Sequence, residues 1–390
     1  MISVEAALSH VFDLVTTTAT ERVPLVQAAG RVLAEPVSAR RSQPPFPASA
    51  MDGYAVDTAE AEPGAQFKVI GTAAAGHGFS GHVGPGQAVR IFTGAPLPVG
   101  ASRVVIQENV TRNGTLITLN PDLDAGPHIR PAGDDFAEGA RIDAPRRLGP
   151  ADLSFLAAMN VAQVPVHCRP NVALIATGDE LVMPGEDPGP DQIIASNTFG
   201  LKALLEADGG DVRMLPIARD SAASLEAVFA LAEGADLIVT SGGASVGDHD
   251  IVRDVAGRMG MKQAFYKVAM RPGKPLMAGR LGSMAMIGLP GNPVSSIVCA
   301  HIFVRPALRA MQGMPAAPLP RQRAPLAVAI DQNGPREHYM RADLTEAGLI
   351  PFDRQDSALL SVLAKARALL IRPPHDPARK PGEVMHYIPL

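Results

Sequence analysis

The chain has 390 residues, more than one hydrophobic core ordinarily serves, so two to four domains are expected. Its 46% hydrophobic and 19% charged content describe an ordinary soluble globular protein. A net charge of −4, no Trp and 4 Tyr argue against nucleic-acid partners, by field or by stacking, so an anionic ligand must be held by local geometry.

The opening segment MISVEAALSHVFDLV lacks a basic start and a cleavage pattern. Its apolar residues Val4, Leu8, Val11, Phe12 and Val15 follow helical spacing, with Ser3 placed as the N-cap. Residues 20–43 break near Pro24, and SQPPFP then forms a stiff connector, because proline fixes φ. From 44 to 140 short strands are expected at Phe67–Ile70, Ala88–Thr93, Arg103–Glu108 and Thr115–Leu119, between Gly and Pro clusters. Residues 141–170 read as a return segment, with a helix opening at Gly149-Pro150 and a strand at Ala162–His167. The period then changes to strand–helix alternation: Val172–Ala176, Ser196–Asp208, Val212–Ile217, Ser221–Glu233 and Leu237–Thr240. That alternation predicts a parallel sheet covered on both faces, with ligands bound beyond the carboxyl ends of its strands. After 320 the texture is β again, with strands expected at Leu326–Ile330, Tyr339–Leu344, Leu369–Arg372 and Val384–Ile388.

The expected fold class is therefore α/β plus β, in a multidomain chain. Residues 1–43 and 141–170 form a discontinuous linker domain, 44–140 a compact β domain, 171–320 a doubly wound, mostly parallel α/β domain, and 321–390 a C-terminal β domain. Cys168 and Cys299 are too few and too far apart for a disulfide framework, and read as small hydrophobes of a reducing cytoplasm. No run of about 18 apolar residues suggests a membrane span.

Three glycine-rich loops fall at predicted strand ends: ATGDELVMPGEDPGP, TSGGASVGDHD, and the pair MRPGKP with IGLPGNPVSS. Glycines let backbone N–H groups approach a ligand, and consecutive amides form an anion nest. Asn292 is placed as an N-cap with Pro293 first in the helix, which would aim amides and a positive dipole end at an anion. None of the loops matches a dinucleotide fingerprint or a P-loop. Carboxylates gather beside them: Asp179, Glu180, Asp220, Asp248 and Asp250. Near phosphate such oxygens suit Mg²⁺, although Asp220, Asp248 and Asp250 also read as helix caps. Lys267, Arg271 and Lys274 form a cationic segment that Pro272-Gly273 would turn back on itself, toward an oxyanion. Ser-Ala-Met-Asp52-Gly-Tyr and Phe-Thr93-Gly-Ala-Pro each read as a turn. The histidines have no zinc spacing.

Taken in order, SAMDGYAV, RIFTGAPLP, ATGDEL, TSGGASVGDHD, RPGKP and GLPGNPVS resemble the molybdopterin molybdenumtransferase (MoeA) family, which is similar also to the E domain of gephyrin. The resemblance spans nearly the whole chain. It implies insertion of molybdenum from molybdate into adenylylated molybdopterin with release of AMP, the last step of molybdenum cofactor synthesis, and a need for Mg²⁺. It implies an elongated homodimer of four-domain chains, with the cleft between the α/β domain of one subunit and the β domain of the other. Molybdopterin adenylyltransferase and molybdoenzyme apoproteins are the implied protein partners.

By motif, the resemblance assigns reaction roles to Asp52, Thr93, Asp135, Glu180, Asp220, Asp250, Lys267, Arg271 and Lys274. Arg271 stands where some members have Lys. The resemblance assigns substrate binding to Ser241, Gly242, Gly243, Ser245, Pro290, Gly291, Asn292 and Pro293, with Arg341 and Ser357 added from the C-terminal domain. Glu180, Asp220 and Asp250 are the implied metal ligands. Two other readings compete, a molybdopterin adenylyltransferase that consumes ATP and a non-catalytic scaffold domain. The long β region bearing SAMDGYA argues against the first, and the full acidic and basic set against the second.

Overall fold

The protein is described by a computed structural model covering residues 1–243 and 251–390. Its centre is a six-stranded sheet ordered Asp211–Met214, Asn171–Ala176, Leu237–Ser241, Met284–Leu289, Met277–Leu281, Lys262–Tyr266. The first four strands run parallel and the last two antiparallel. Side chains of Asn171–Ala176 alternate between two cores, Val172 and Leu174 on one face and Ala173 and Ile175 on the other. Both faces are covered, which is why this strand reads as an unbroken apolar run. Helices Asn197–Ala207 and Pro293–Met311 cover the first face, and Ala222–Leu231 and Ile251–Arg258 the second. The strand order reverses beside Asn171–Ala176, and that switch point opens a crevice at the carboxyl ends.

Pro293–Met311 is long and apolar enough on average to cross a membrane, although Ser295, His301 and Arg305 interrupt its apolar run as expected, and 78% of its apolar window is buried inside the molecule. It is a core helix, and it widens to π-type turns at Ala300–Val304, just before Pro306. Proline brings no N–H to the ladder, so the turn preceding it must loosen.

The helix Val4–Leu14 is capped by Ser3, whose hydroxyl accepts the Ala6 N–H at 3.1 Å. It does not pack with residues 20–43, as its place in the chain suggested. Its buried Val4, Leu8 and Val11 join the α/β core, and Ile2 bridges to Val268. Strands Thr20–Pro24, Gln163–His167, Val32–Leu33 and Arg146–Arg147 form one antiparallel sheet from both sequence segments. Arg147 and Arg305 both pair with the buried Asp208, tying this sheet to the α/β unit.

The β region is a six-stranded mixed sheet with a small core on each face. Gly53–Val56, read as a turn, is a wholly buried strand within it. A Cβ on Gly53 would stand 2.0 Å from the Val105 carbonyl oxygen, so glycine here allows close strand approach. The C-terminal sheet holds Glu337–Thr345, Ala368–Arg372, Val384–Pro389 and Gln322–Pro325, whereas the strand expected at Leu326–Ile330 is displaced to Gln322–Pro325. Met270–Arg271 pairs in parallel with Glu337–His338, which docks the cationic segment onto this sheet.

Candidate functional site

The crevice is a cleft of about 990 Å³, built by the loops that follow Asn171–Ala176, Leu237–Ser241 and Met284–Leu289. Glu180, Asp220, Ser241, Gly242, Gly243, Pro290, Gly291, Asn292 and Pro293 all line it. Ser245 and Asp250 lie outside the described residues.

The bare loops have a packing reason as well as a ligand one. A Cβ on Gly242 would meet the Thr177 carbonyl oxygen at 2.4 Å, and one on Gly243 would meet Val252 Cγ2 at 2.1 Å. Both residues have positive φ, +103° and +66°, where side chains are disfavoured. Gly291 lies against them, its would-be Cβ 3.4 Å from Gly242 Cα. The strand Leu237–Ser241 thus ends in a turn that only small backbone can fill.

Several side chains that hold the loops together were not singled out from the sequence. Asn197, first residue of its helix, donates through Nδ2 to Ser241 Oγ at 3.0 Å and to the Gly291 carbonyl at 2.7 Å. Ser241 is buried and shares a hydrogen bond with Ser296 at 3.1 Å. Arg219 donates to the carbonyls of Asp179 (2.9 Å) and Leu181 (3.1 Å), clamping the ATGDEL loop. Asp179, one of the candidate metal-side carboxylates, instead accepts the Asp220 N–H at 3.0 Å. A polar residue at a helix start reads as a cap, which is why Asn197 escaped notice.

The helix at Asn292 departs from expectation. Asn292 sits at the N-cap position without capping through its side chain, and its Nδ2 donates to Ser357 Oγ at 3.1 Å. Pro293 has no N–H, and the Val294 N–H donates to the Ser357 carbonyl at 3.0 Å. The C-terminal region therefore occupies donors expected to face an anion. Ser357 reaches the cleft rim in this way, and its neighbour Ala358 lines the cleft. Arg341, expected at the cleft, is 1% exposed, and its guanidinium donates to Gln355 Oε1 and the Asp356 carbonyl. It shapes the segment that carries Ser357 and does not line the cleft.

Lys267, Arg271 and Lys274 also stand outside the lining, although Pro275 is part of it. The Lys274 carbonyl accepts the N–H groups of Val268 and Leu276, which closes residues 268–274 into a tight loop. Lys267 has φ +69° and its ammonium lies 4.7 Å from the Tyr266 ring centre. Gly273 presses on Cys299, whose Sγ would lie 2.3 Å from an added Cβ.

Asp52, Thr93 and Asp135 lie in the β region and do not line the cleft of their own chain. Asp52 and Thr93 are brought together: Asp52 Oδ1 accepts the Thr93 N–H at 2.8 Å and its hydroxyl at 2.7 Å. Those two bonds, with a smaller contribution from Arg90, hold the Asp52 carboxyl below its usual range. Exposed Met51 and Phe92 flank the pair. Asp135 is exposed in a turn, its N–H bonded to the Gln43 carbonyl.

Among the described residues, the charged groups lining the cleft are Glu180, Asp220 and Asp254, with no Lys, Arg or His. No cluster of three or more metal-ligating side chains occurs among the described residues. Two free carboxylates with hard oxygen donors and open space beside glycine backbone nevertheless fit Mg²⁺, which keeps waters and substrate oxygens in its shell.

Three family models cover the chain in succession: the MoeA N-terminal region (domains I and II) over residues 2–160, the "probable molybdopterin binding domain" over 173–310, and the MoeA C-terminal region (domain IV) over 323–390. Molybdopterin molybdenumtransferase 2 of Mycobacterium tuberculosis is 37% identical over 89% of both chains. The Haemophilus influenzae molybdopterin molybdenumtransferase is 37% identical over 80% of this chain and 78% of its own. The molybdopterin biosynthesis MoeA protein of Pyrococcus horikoshii OT3 superposes with a TM-score of 0.85 at 25% identity, covering 100% of each chain. By sequence, domain succession and fold, the chain belongs to the MoeA family of molybdopterin molybdenumtransferases.

Proposed function

We propose that this chain inserts molybdenum from molybdate into adenylylated molybdopterin and releases AMP, completing molybdenum cofactor synthesis. The observation that carries the reading is the cleft. It joins glycine-bearing backbone turns to carboxylates, with no lining Lys, Arg or His among the described residues, in a chain similar over most of its length to molybdopterin molybdenumtransferases. Gly242, Gly243 and Gly291 admit a phosphate-bearing ligand to the backbone, and Asn197 holds the loops in register. Glu180 and Asp220 are the described residues that would hold Mg²⁺, with Asp250 outside the described set. When bound, the ion would neutralise phosphoryl oxygens in a cleft that is otherwise acidic.

Arg271 and Lys274, on the tight loop beside Pro275, are the groups that would attract molybdate. A molybdate oxygen attacking the adenylyl phosphorus in line would break the phosphoanhydride and expel the pterin phosphate. Water would then hydrolyse the adenylyl–molybdate anhydride to free AMP and leave molybdate beside the pterin, with positioning and charge neutralisation supplying the rate. The Asp52–Thr93 pair is preorganised yet stands off its own cleft, between exposed apolar side chains. A second copy of the chain would bring the pair to the cleft, making the homodimer the working unit. The free cysteines suit a cytoplasmic location.

The test is AMP release by the purified chain given adenylylated molybdopterin, with and without molybdate. Molybdate-dependent release supports the reading. Consumption of ATP with unmodified molybdopterin, or no AMP from a folded protein, overturns it.

A further inference from the structure

Thr177 follows the strand Asn171–Ala176 at the floor of the cleft, where its N–H donates to the Ser241 carbonyl at 3.0 Å. The residue is 2% exposed and lines the cleft, yet its hydroxyl has no hydrogen-bond partner. Burying a hydroxyl without a partner destabilises a fold, and buried polar atoms almost always find one. Valine has nearly the same shape and carries no such cost. The free protein therefore gives no reason for a threonine here.

What lies against the hydroxyl supplies one. A Cβ on Gly242 would stand 2.9 Å from Thr177 Oγ1, and one on Gly243 would stand 2.8 Å from it. Side chains at either position would seal the oxygen off. Glycine leaves only a thin backbone cover over the buried oxygen. That cover is the turn to which the ligand phosphate has been assigned.

We propose that Thr177 is a ligand-binding residue of this cleft. Its hydroxyl, unpartnered in the free protein, donates to an anionic oxygen of the phosphate-bearing ligand once that ligand seats on the Gly242–Gly243 turn. The inference rests on the functional reading above and adds a residue to the same site. A donor without a prior partner gives up no bond when the ligand arrives, so the new bond counts in full toward binding. Thr240 provides an internal control. Its hydroxyl is also buried and unpartnered, but it lies within the strand and does not line the cleft.

The experiment uses the full chain and three variants, Thr177→Val, Thr177→Ser and Thr240→Val. AMP affinity is read by calorimetry with Mg²⁺ present throughout, which needs no turnover, and the thermal midpoint is read beside it. Thr177→Val should bind AMP roughly ten- to hundredfold more weakly, as loss of a hydrogen bond to a charged group implies, with its midpoint equal or higher. Thr177→Ser should restore affinity, and Thr240→Val should bind as wild type. Wild-type affinity in Thr177→Val, a lowered midpoint in that variant, or equal weakening in Thr240→Val would each overturn the proposal. If wild type binds AMP but releases none from the adenylylated substrate, the activity fails while Thr177 is still judged by its variants. If wild type does not bind AMP, both fall.

Discussion

Asn197 offers the sharpest test of how the cleft is assembled. Its amide bridges two loops from different strands, at 3.0 Å to Ser241 and 2.7 Å to Gly291. Asn197→Ala removes both bonds. Asn197→Asp loses the bond to Gly291 and sets a carboxylate against that carbonyl, keeping Ser241 only by turning its hydroxyl into the donor. Each neutral bond contributes about 0.5–1.5 kcal/mol net, so together they hold the loops by roughly 1–3 kcal/mol. Ser241 retains Ser296 as a partner, and the Gly291 carbonyl can turn to water, so alanine should fall at the lower end. Aspartate should fall at or beyond the upper end. Expressed as ligand affinity, that range is about five- to 150-fold. Calorimetric titration with AMP reads it directly, and the KM for adenylylated molybdopterin should rise in parallel. A double variant with Ser241→Ala should cost less than the two single changes summed, because the pair shares one bond. Wild-type affinity in Asn197→Asp, or strict additivity with Ser241→Ala, would refute the bridge.

Four further outcomes are expected. Asp220→Asn should raise the Mg²⁺ concentration for half-maximal AMP release by about tenfold or more, since ligand charge sets affinity at such sites; an unchanged Mg²⁺ titration counts against the metal role. Mixing Asp52→Asn and Glu180→Gln subunits, each inactive alone, should restore about one quarter of wild-type activity if cleft and β region come from different copies, because half the dimers then carry one intact site. No recovery after confirmed subunit exchange would place the complete site within one chain. Gly273→Ala should destabilise by roughly 2–4 kcal/mol through strain and overpacking, and adding Cys299→Ala should recover part of it, as read by denaturant midpoints. Burial, then the positive charges of Arg271, Arg372, Arg341 and Arg336, pushes His338 down to about 3, while burial and Arg305 push His301 down to about 4. Depressed folded values mean the unfolded chain takes up the protons first. Stability is therefore complete above about pH 6.5 and falls below it, by at most roughly 5 kcal/mol for the two histidines by pH 4.5; a pH-independent denaturant midpoint over that window would contradict it.

The strands that carry the cleft were legible because each of their faces meets an apolar layer. The run Val172–Ala176 leaves no polar side to confuse the reading, and the glycines after it mark its end. Ser3 was equally plain as a cap, since a cap is a local bond over three residues, although the cap read at Asp220 falls to its neighbour Ser221. What escaped was long-range. Gly53 looked like half of an Asp-Gly turn until Val105, 52 positions away, showed why no Cβ fits. Arg341 was expected at the cleft from the resemblance, because its partners Gln355 and Asp356 arrive only when the C-terminal sheet folds back. Thr177 carried no signal at all. An unpartnered hydroxyl is a fact about space, and sequence spacing does not contain it.

The electrostatics of the cleft bear on how the proposed reaction could be switched on. An adenylylated pterin carries several negative charges, and the described lining offers it Glu180, Asp220 and Asp254. Asp254 is partly neutralised by Arg253, leaving Glu180 and Asp220 without an opposing side-chain charge in the lining. At an effective dielectric near 20, each like-charge pair at 4 Å repels by about 4 kcal/mol. Bare backbone loops supply hydrogen bonds but not full positive charges, and the lysines and arginine of the 267–274 loop lie outside the lining. Substrate binding on this reading must be linked to the divalent ion, so that Mg²⁺ raises substrate affinity and substrate raises Mg²⁺ affinity by the same factor. The acid beside the glycines then has a purpose that a permanently cationic cleft would lack. On that proposal it would keep a phosphate-rich ligand out until the metal is present to bridge the two.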